Sequence, residues 1–156
     1  MPRIFVRTFV VPPDAIDGNG HLNNLAYLRW MQEAAAGHSA VQGWPFERYQ
    51  RTGTGWVVRT HSIEYLRPAF AGDSISVLTW VAGYKRSSSP RKYLFWRASD
   101  RQTLARAETL WVFVDAVTGR ARNIPKELLS AFAVVADGEV LELLRQGGSG
   151  GPGETL

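Results

Sequence analysis

The residues of this chain best equipped for chemistry lie between Asp14 and Gly43, in the run D-A-I-D-G-N-G-H-L-N-N-L-A-Y-L-R-W-M-Q-E-A-A-A-G-H-S-A-V-Q-G. The first half is turn-rich and sets Asp17 among Gly18, Gly20, His21, Asn23 and Asn24. The second half is the one long helix signal: Asn23 and Asn24 are both good N-caps, and helix formers continue to a stop at Gly43. A carboxylate before a helix meets its unsatisfied N–H groups and the positive end of its dipole. Such a carboxylate can attack an electrophilic carbon or take a proton from water. The first helical N–H groups, at Asn24 and Leu25, are natural donors to an oxyanion, one such donor being worth about 3 kcal/mol. The competing reading makes Asp17 a turn or capping residue, a common role for acids in Gly/Asn-rich loops.

The run D-x-x-G-H-L-N-N, followed by A-Y-L-R-W-M-Q-E-A, resembles the hotdog-fold acyl-CoA thioesterases of the 4-hydroxybenzoyl-CoA thioesterase type. The resemblance implies an α+β fold in which an antiparallel sheet wraps around one long central helix, over roughly residues 3 to 130. It also implies that Asp17 is the catalytic aspartate, with Gly20, His21, Asn23 and Asn24 in the supporting loop. The G-H-x-N-N form is approximated in plant-type acyl-carrier-protein thioesterases as well. Two departures stand out: Ala15 occupies a position where many relatives carry a second acid, and Asn24 stands where the benzoyl-CoA enzyme has an aromatic residue. The implied activity is hydrolysis of an acyl-CoA, with Asp17 as nucleophile or general base. The alternatives are an acyl-carrier-protein thioesterase of the same fold and a non-catalytic acyl-CoA-binding protein; a hotdog dehydratase fits the loop poorly. Coenzyme A enters only as part of the substrate, and the family implies dimers or tetramers.

Two further groups are candidates. Thr60 and His61 lie in a strand expected to run past the helix N-terminus, and strand alternation lets only one of them face inward. Lys85, Arg86 and Arg91, with Lys92, form the densest basic cluster. They match in position a basic turn that holds the CoA phosphates in the benzoyl-CoA enzyme; the alternative is a solvated hairpin turn. His21 can orient Asp17 or simply be satisfied within its loop. His38, in mid-helix, reads as a packing residue.

Composition narrows the field. The chain has 156 residues and 45% hydrophobic content, enough for one domain with a proper core. With no cysteine, thiolate metal sites and a cysteine nucleophile are excluded. The three histidines lack metal-ligand spacing, so no metal is expected. No apolar run approaches a membrane span, and the N-terminus lacks a secretory apolar core, so a soluble cytoplasmic protein is expected. A net charge of +4 favours anionic partners, but interspersed acids argue against nucleic acid. The G-G-S-G-G of the tail has no strand before it, so it is not a nucleophile elbow.

The elements that must position these groups follow from pattern. Strands are expected at Ile4–Val11, Trp56–Leu66, Ser74–Tyr84, Lys92–Ser99 and Thr103–Val114, with a polar loop over Lys85–Pro90 and a short edge strand at Ala121–Ile124. The apolar residues of the long helix spread around its circumference, which predicts burial nearly all round. Pro125 suits the first position of a helix reaching Phe132, and Glu139–Arg145 suits a last amphipathic helix. Residues 1–135 would form the domain, and 136–156 a short helix and a flexible Gly-rich tail.

Overall fold

The structure is a computed structural model that describes residues 2–146. The expected flexible tail, with its G-G-S-G-G run, lies outside the described residues. Five antiparallel strands form a single sheet: β1 (Phe5–Val10), β2 (Thr54–Tyr65), β3 (Ser74–Val81), β4 (Ser88–Arg97) and β5 (Gln102–Asp115), in the order β1-β3-β4-β5-β2. Strands β3, β4 and β5 are consecutive hairpins, whereas β1 and β2 are the edges. The long helix α1 (Asn24–Val41) separates those two edge strands in sequence and lies across the sheet.

Helix α1 is buried on one side rather than all round. Ala26, Tyr27, Trp30, Met31, Ala34, Ala35 and His38 form a continuous stripe at helical spacing. Leu25, Arg29, Gln32 and Val41 remain exposed. The stripe packs on Ile75, Val77, Tyr93, Phe95, Ala105 and Ala107 of the sheet. Burying a side chain such as Met31, fully enclosed here, stabilises by about 1.5–3 kcal/mol.

Strand β4 begins earlier than the sequence suggests. Ser88, Ser89 and Pro90 pair with Val112, Trp111 and Leu110, so half of the expected polar loop is strand. Proline is tolerated because β3 ends at Val81, opposite Arg91, and the Pro90 carbonyl still accepts from Ala82 N–H at 2.9 Å. The expected edge strand at Ala121–Ile124 shrinks to one bridge between Val114 and Ala121.

Two short helices, α2 (Phe46–Thr52) and α3 (Lys126–Ala131), close one end of the molecule around Trp44, Tyr49, Phe113, Leu128 and Phe132. The last helix, α4 (Asp137–Gln146), lays Val140, Leu143 and Leu144 on Leu78, Trp80 and Leu94. It therefore covers part of the sheet face opposite α1.

Candidate active site

The segment before α1 is tied down by its own backbone. Ile16 and Leu22 form a bridge, Asp17 N–H donates to the His21 carbonyl at 2.8 Å, and Gly20 N–H donates to that of Asp17 at 3.1 Å. Gly20 turns the chain with φ of 78°, a conformation a side chain would strain. Leu22 N–H donates to the Ala69 carbonyl at 2.8 Å, which fixes the loop to the segment between β2 and β3.

Within this loop the half-buried Asp17 carboxylate is held by one oxygen. Its Oδ1 accepts from the N–H groups of Asn19 at 2.9 Å and His21 at 3.2 Å. Oδ2 makes no hydrogen bond among the described residues, so it remains available to a reacting group. The same geometry satisfies the turn reading of Asp17, since Oδ1 stabilises the loop it sits in. The two roles use different oxygens and are compatible.

Asn23 is the N-cap of α1, its Oδ1 accepting from Leu25 N–H at 2.8 Å. That bond removes Leu25 from the pair of expected oxyanion donors. Asn24 N–H has no acceptor among the described residues and is the one donor of the pair left open. His21 supports Asp17 through its backbone alone; its ring lies edge-on to Phe70, centroids 5.6 Å apart. Exposed Leu25, Tyr65, Leu66 and Phe70 give this end of the molecule an apolar rim.

The remaining candidates are dispersed. His61 pairs with Thr109 across the sheet, and its Nδ1 is hydrogen-bonded to Thr109 Oγ1 at 2.8 Å on the α1 side. Desolvation lowers its pKa below the ordinary histidine value. Thr60 takes the opposite face by alternation, after an irregularity between Val58 and Thr60. Neither is hydrogen-bonded to the Asp17 loop among the described residues. Lys85 and Arg86 are exposed in the β3–β4 turn, while Lys92 pairs with Asp137 at 2.8 Å.

Arg91 breaks from the rest of the basic cluster. It is only 6% exposed and sits on the inner face of β4, so it cannot serve as a flexible cation at an outer rim. Strand parity explains this: Arg91 shares a face with Tyr93 and Phe95, both fully enclosed. Its Nη1 donates to His38 Nδ1 at 2.9 Å and to Thr79 Oγ1 at 3.1 Å. Because a guanidinium only donates, His38 Nδ1 is an acceptor and its proton resides on Nε2, which donates to the Pro2 carbonyl at 2.9 Å. Burial first, and the Arg91 charge second, pull the His38 pKa down to about 4, so the ring is neutral.

Arg91 lines a cavity of about 660 Å³ beside the C-terminal half of α1. Its walls include Trp44, Tyr49, Trp56, Tyr84, Trp111 and Phe132. This size and aromatic lining suit an organic ligand. A smaller cavity of about 370 Å³ lies on the opposite sheet face by α4, where Glu64, Lys92, Arg106, Glu108 and Asp137 join Trp80, Leu94 and Val140 in its lining. The large cavity escaped sequence reading because its walls come from seven separated elements. The one available signal was the parity of Arg91 with Tyr93 and Phe95.

A sheet curved over one long helix, with an acid in the loop before that helix, defines the hotdog class. The chain belongs to the Thioesterase-like superfamily, whose family description matches residues 11–132. Among solved structures, it superposes on the 1,4-dihydroxy-2-naphthoyl-CoA thioesterase Slr0204 from Synechocystis with a TM-score of 0.75 at 21% identity, covering 82% of this chain and 94% of that one. SAV2348 from Staphylococcus aureus, solved in complex with CoA, gives 0.78 at 15% identity, covering 90% and 93%. By sequence the chain is 29% identical over 107 residues to a chloroplastic palmitoyl-acyl carrier protein thioesterase of Cuphea hookeriana, covering 65% of this chain and 26% of that protein. It thus spans about a quarter of the length of that relative. No group of three or more His, Cys, Asp or Glu is arranged for a metal, and no helix is long and apolar enough to cross a membrane, among the described residues.

Proposed function

We propose that the protein hydrolyses the thioester of an acyl-CoA, with Asp17 as the catalytic carboxylate. The observation that carries this reading is the state of Asp17: Oδ1 is anchored by two amides while Oδ2 is free, at the head of a helix in a member of the Thioesterase-like superfamily. Oδ2 either attacks the thioester carbon, expelling the thiolate and leaving a mixed anhydride for water to cleave, or removes a proton from the attacking water. In both routes negative charge develops on the carbonyl oxygen, and the unengaged Asn24 N–H is the donor for it.

The acyl group belongs in the aromatic cavity, which lies at the other end of α1. Two copies joined through their β2 strands bring these ends together. β2 runs from Thr54 at the cavity to Tyr65, whose ring meets Tyr27 near the helix head. Antiparallel pairing of its free edge with a second β2 sets the Tyr65 end of one copy against the Thr54 end of the other. The exposed apolar residues fit this arrangement, with Phe46 and Val57 at one end and Leu25, Tyr65 and Leu66 at the other. Lys85 and Arg86, exposed in their turn, are the cations available to the nucleotide phosphates of CoA.

An acyl-carrier-protein thioester is the second reading, favoured by the sequence similarity to chloroplastic palmitoyl-acyl carrier protein thioesterases. The test covers both: wild type and Asp17→Asn are assayed on acyl-CoAs and acyl-carrier-protein thioesters of graded length. Hydrolysis of one class that collapses in the variant supports the reading. Wild-type rates in the purified, folded variant remove Asp17 from the chemistry.

A further inference from the structure

We infer that Arg91 is the specificity-determining residue of the acyl cavity, and that it selects acyl groups carrying an anionic oxygen group, a carboxylate in the first instance, at their far end. The inference rests on the cavity being where the acyl group goes.

Burying a cation costs several kcal/mol unless a charge or a full set of acceptors compensates it. Arg91 has neither. Among the described residues no carboxylate forms an ion pair with it, and its two hydrogen bonds go to neutral acceptors, His38 Nδ1 and Thr79 Oγ1. The Phe132 ring, 5.8 Å from the guanidinium carbon, adds only a weak cation–π contact. Asp115 lines the same cavity but is committed elsewhere: its Oδ1 accepts from the Val117 and Thr118 amides, and its Oδ2 lies 3.7 Å from Arg122.

The rest of the cavity's polar wall is largely satisfied internally. Tyr84 donates its hydroxyl to the Phe132 carbonyl, Ser89 donates to that of Gly83, and the Tyr49 hydroxyl engages Ser39 and Trp56. Arg91 is the charge left over. Both of its hydrogen bonds leave from Nη1, so Nε and Nη2 retain the donors that grip a carboxylate in the planar two-point manner of guanidinium groups. His38, neutral and anchored to Pro2, fixes the guanidinium from behind and is a positioning residue. A plain alkyl chain filling the cavity would strip water from Arg91 and return nothing, which disfavours it against a chain ending in an anion.

Two measurements test this. The first is kinetic: the kcat/KM ratio for adipoyl-CoA over hexanoyl-CoA, which have the same chain length. The ratio should exceed unity by about 10- to 100-fold in wild type, the worth of charge-assisted hydrogen bonds. It should fall toward one in Arg91→Met and stay intermediate in Arg91→Lys, each checked for folding by thermal unfolding. The second is equilibrium binding of hexanoate against hexanamide, read from tryptophan fluorescence, because Trp44, Trp56 and Trp111 line the cavity. Wild type should favour hexanoate and Arg91→Met should not. A ratio near one in wild type, or one unchanged by Arg91→Met, overturns the assignment. If neither CoA ester is turned over yet hexanoate binding depends on Arg91, six-carbon acyl-CoAs are excluded as substrates and the anion site stands.

Discussion

The two ends of α1 solve opposite problems. At the head, Asp17, His21, Asn23 and Asn24 lie within eight consecutive positions, and every bond that shapes this loop but one is local. At the tail, about 20 Å away along the helix axis, His38 meets Arg91, which is itself bonded to Thr79 of a second strand, and Pro2 from the N-terminus. The head is a polar loop inside an exposed apolar rim, and it presents one unbonded carboxylate oxygen and one unbonded amide hydrogen among the described residues. The tail is lined by aromatic rings and holds a buried charge, Arg91, with no carboxylate partner among the described residues. A reacting centre needs access, whereas a recognition chamber gains its discrimination from the exclusion of water.

If the head is where bonds break, the largest single effect belongs there. Asp17→Asn keeps an acceptor oxygen for the Asn19 and His21 amides, so the loop is preserved while the basic, nucleophilic oxygen is lost. A fall of about 10²–10⁴-fold in kcat with little change in melting temperature is expected. A fall in both together would mean the acid is chiefly a loop residue.

The tail yields a pH effect instead. His38 has its pKa depressed from 6.5 to about 4, by burial first and by Arg91 second. Unfolding frees the ring to take a proton, so the contribution to stability is complete above about pH 6.5 and is lost as pH falls toward 4. The loss from this one residue is about 3 kcal/mol. Urea unfolding at one protein concentration, stepped from pH 7 to 4, should show a shallower decline in His38→Gln than in wild type. Parallel declines would mean the ring is not held neutral by its surroundings.

Between these ends, the cap of the helix tests how far the head depends on local order. Asn23→Ala removes the acceptor for Leu25 N–H and should cost about 1 kcal/mol. For a domain of this size that corresponds to a melting temperature lower by about 2–4 °C. Because the Asn24 N–H is untouched, activity should fall far less than in Asp17→Asn. An equal fall would make the cap part of the reacting geometry.

The same contrast explains what the sequence revealed. The start of α1 at one of two adjacent asparagines, which the structure settles with Asn23 as the cap, and the acid before it were readable because capping and turn chemistry act over a few residues. Strand order and the placement of Arg91 were not readable in that way. They depend on register, where a one-residue shift reverses which face a side chain takes. The cluster Lys85, Arg86, Arg91 and Lys92 looked like one surface feature by proximity in sequence, yet alternation sends Arg91 inward and Lys92 outward to Asp137. Burial of α1 was overestimated for a related reason: apolar residues such as Leu25 and Val41 are exposed, because only one side of the helix meets the sheet.

The smallest expected effect concerns what remains of that cluster outside. Lys85 and Arg86 are solvent-exposed, and exposed ion pairs are worth no more than about 1 kcal/mol each and weaken with salt. Reversing both charges with Lys85→Glu and Arg86→Glu should therefore raise KM for CoA esters by about tenfold at low salt, with kcat nearly constant, since the phosphates lie far from the reacting carbonyl. A short thioester without a nucleotide should be used equally well by wild type and variant. Parallel changes on both substrates would detach the turn from CoA, leaving the inward and outward members of the basic cluster with no shared part in holding the substrate.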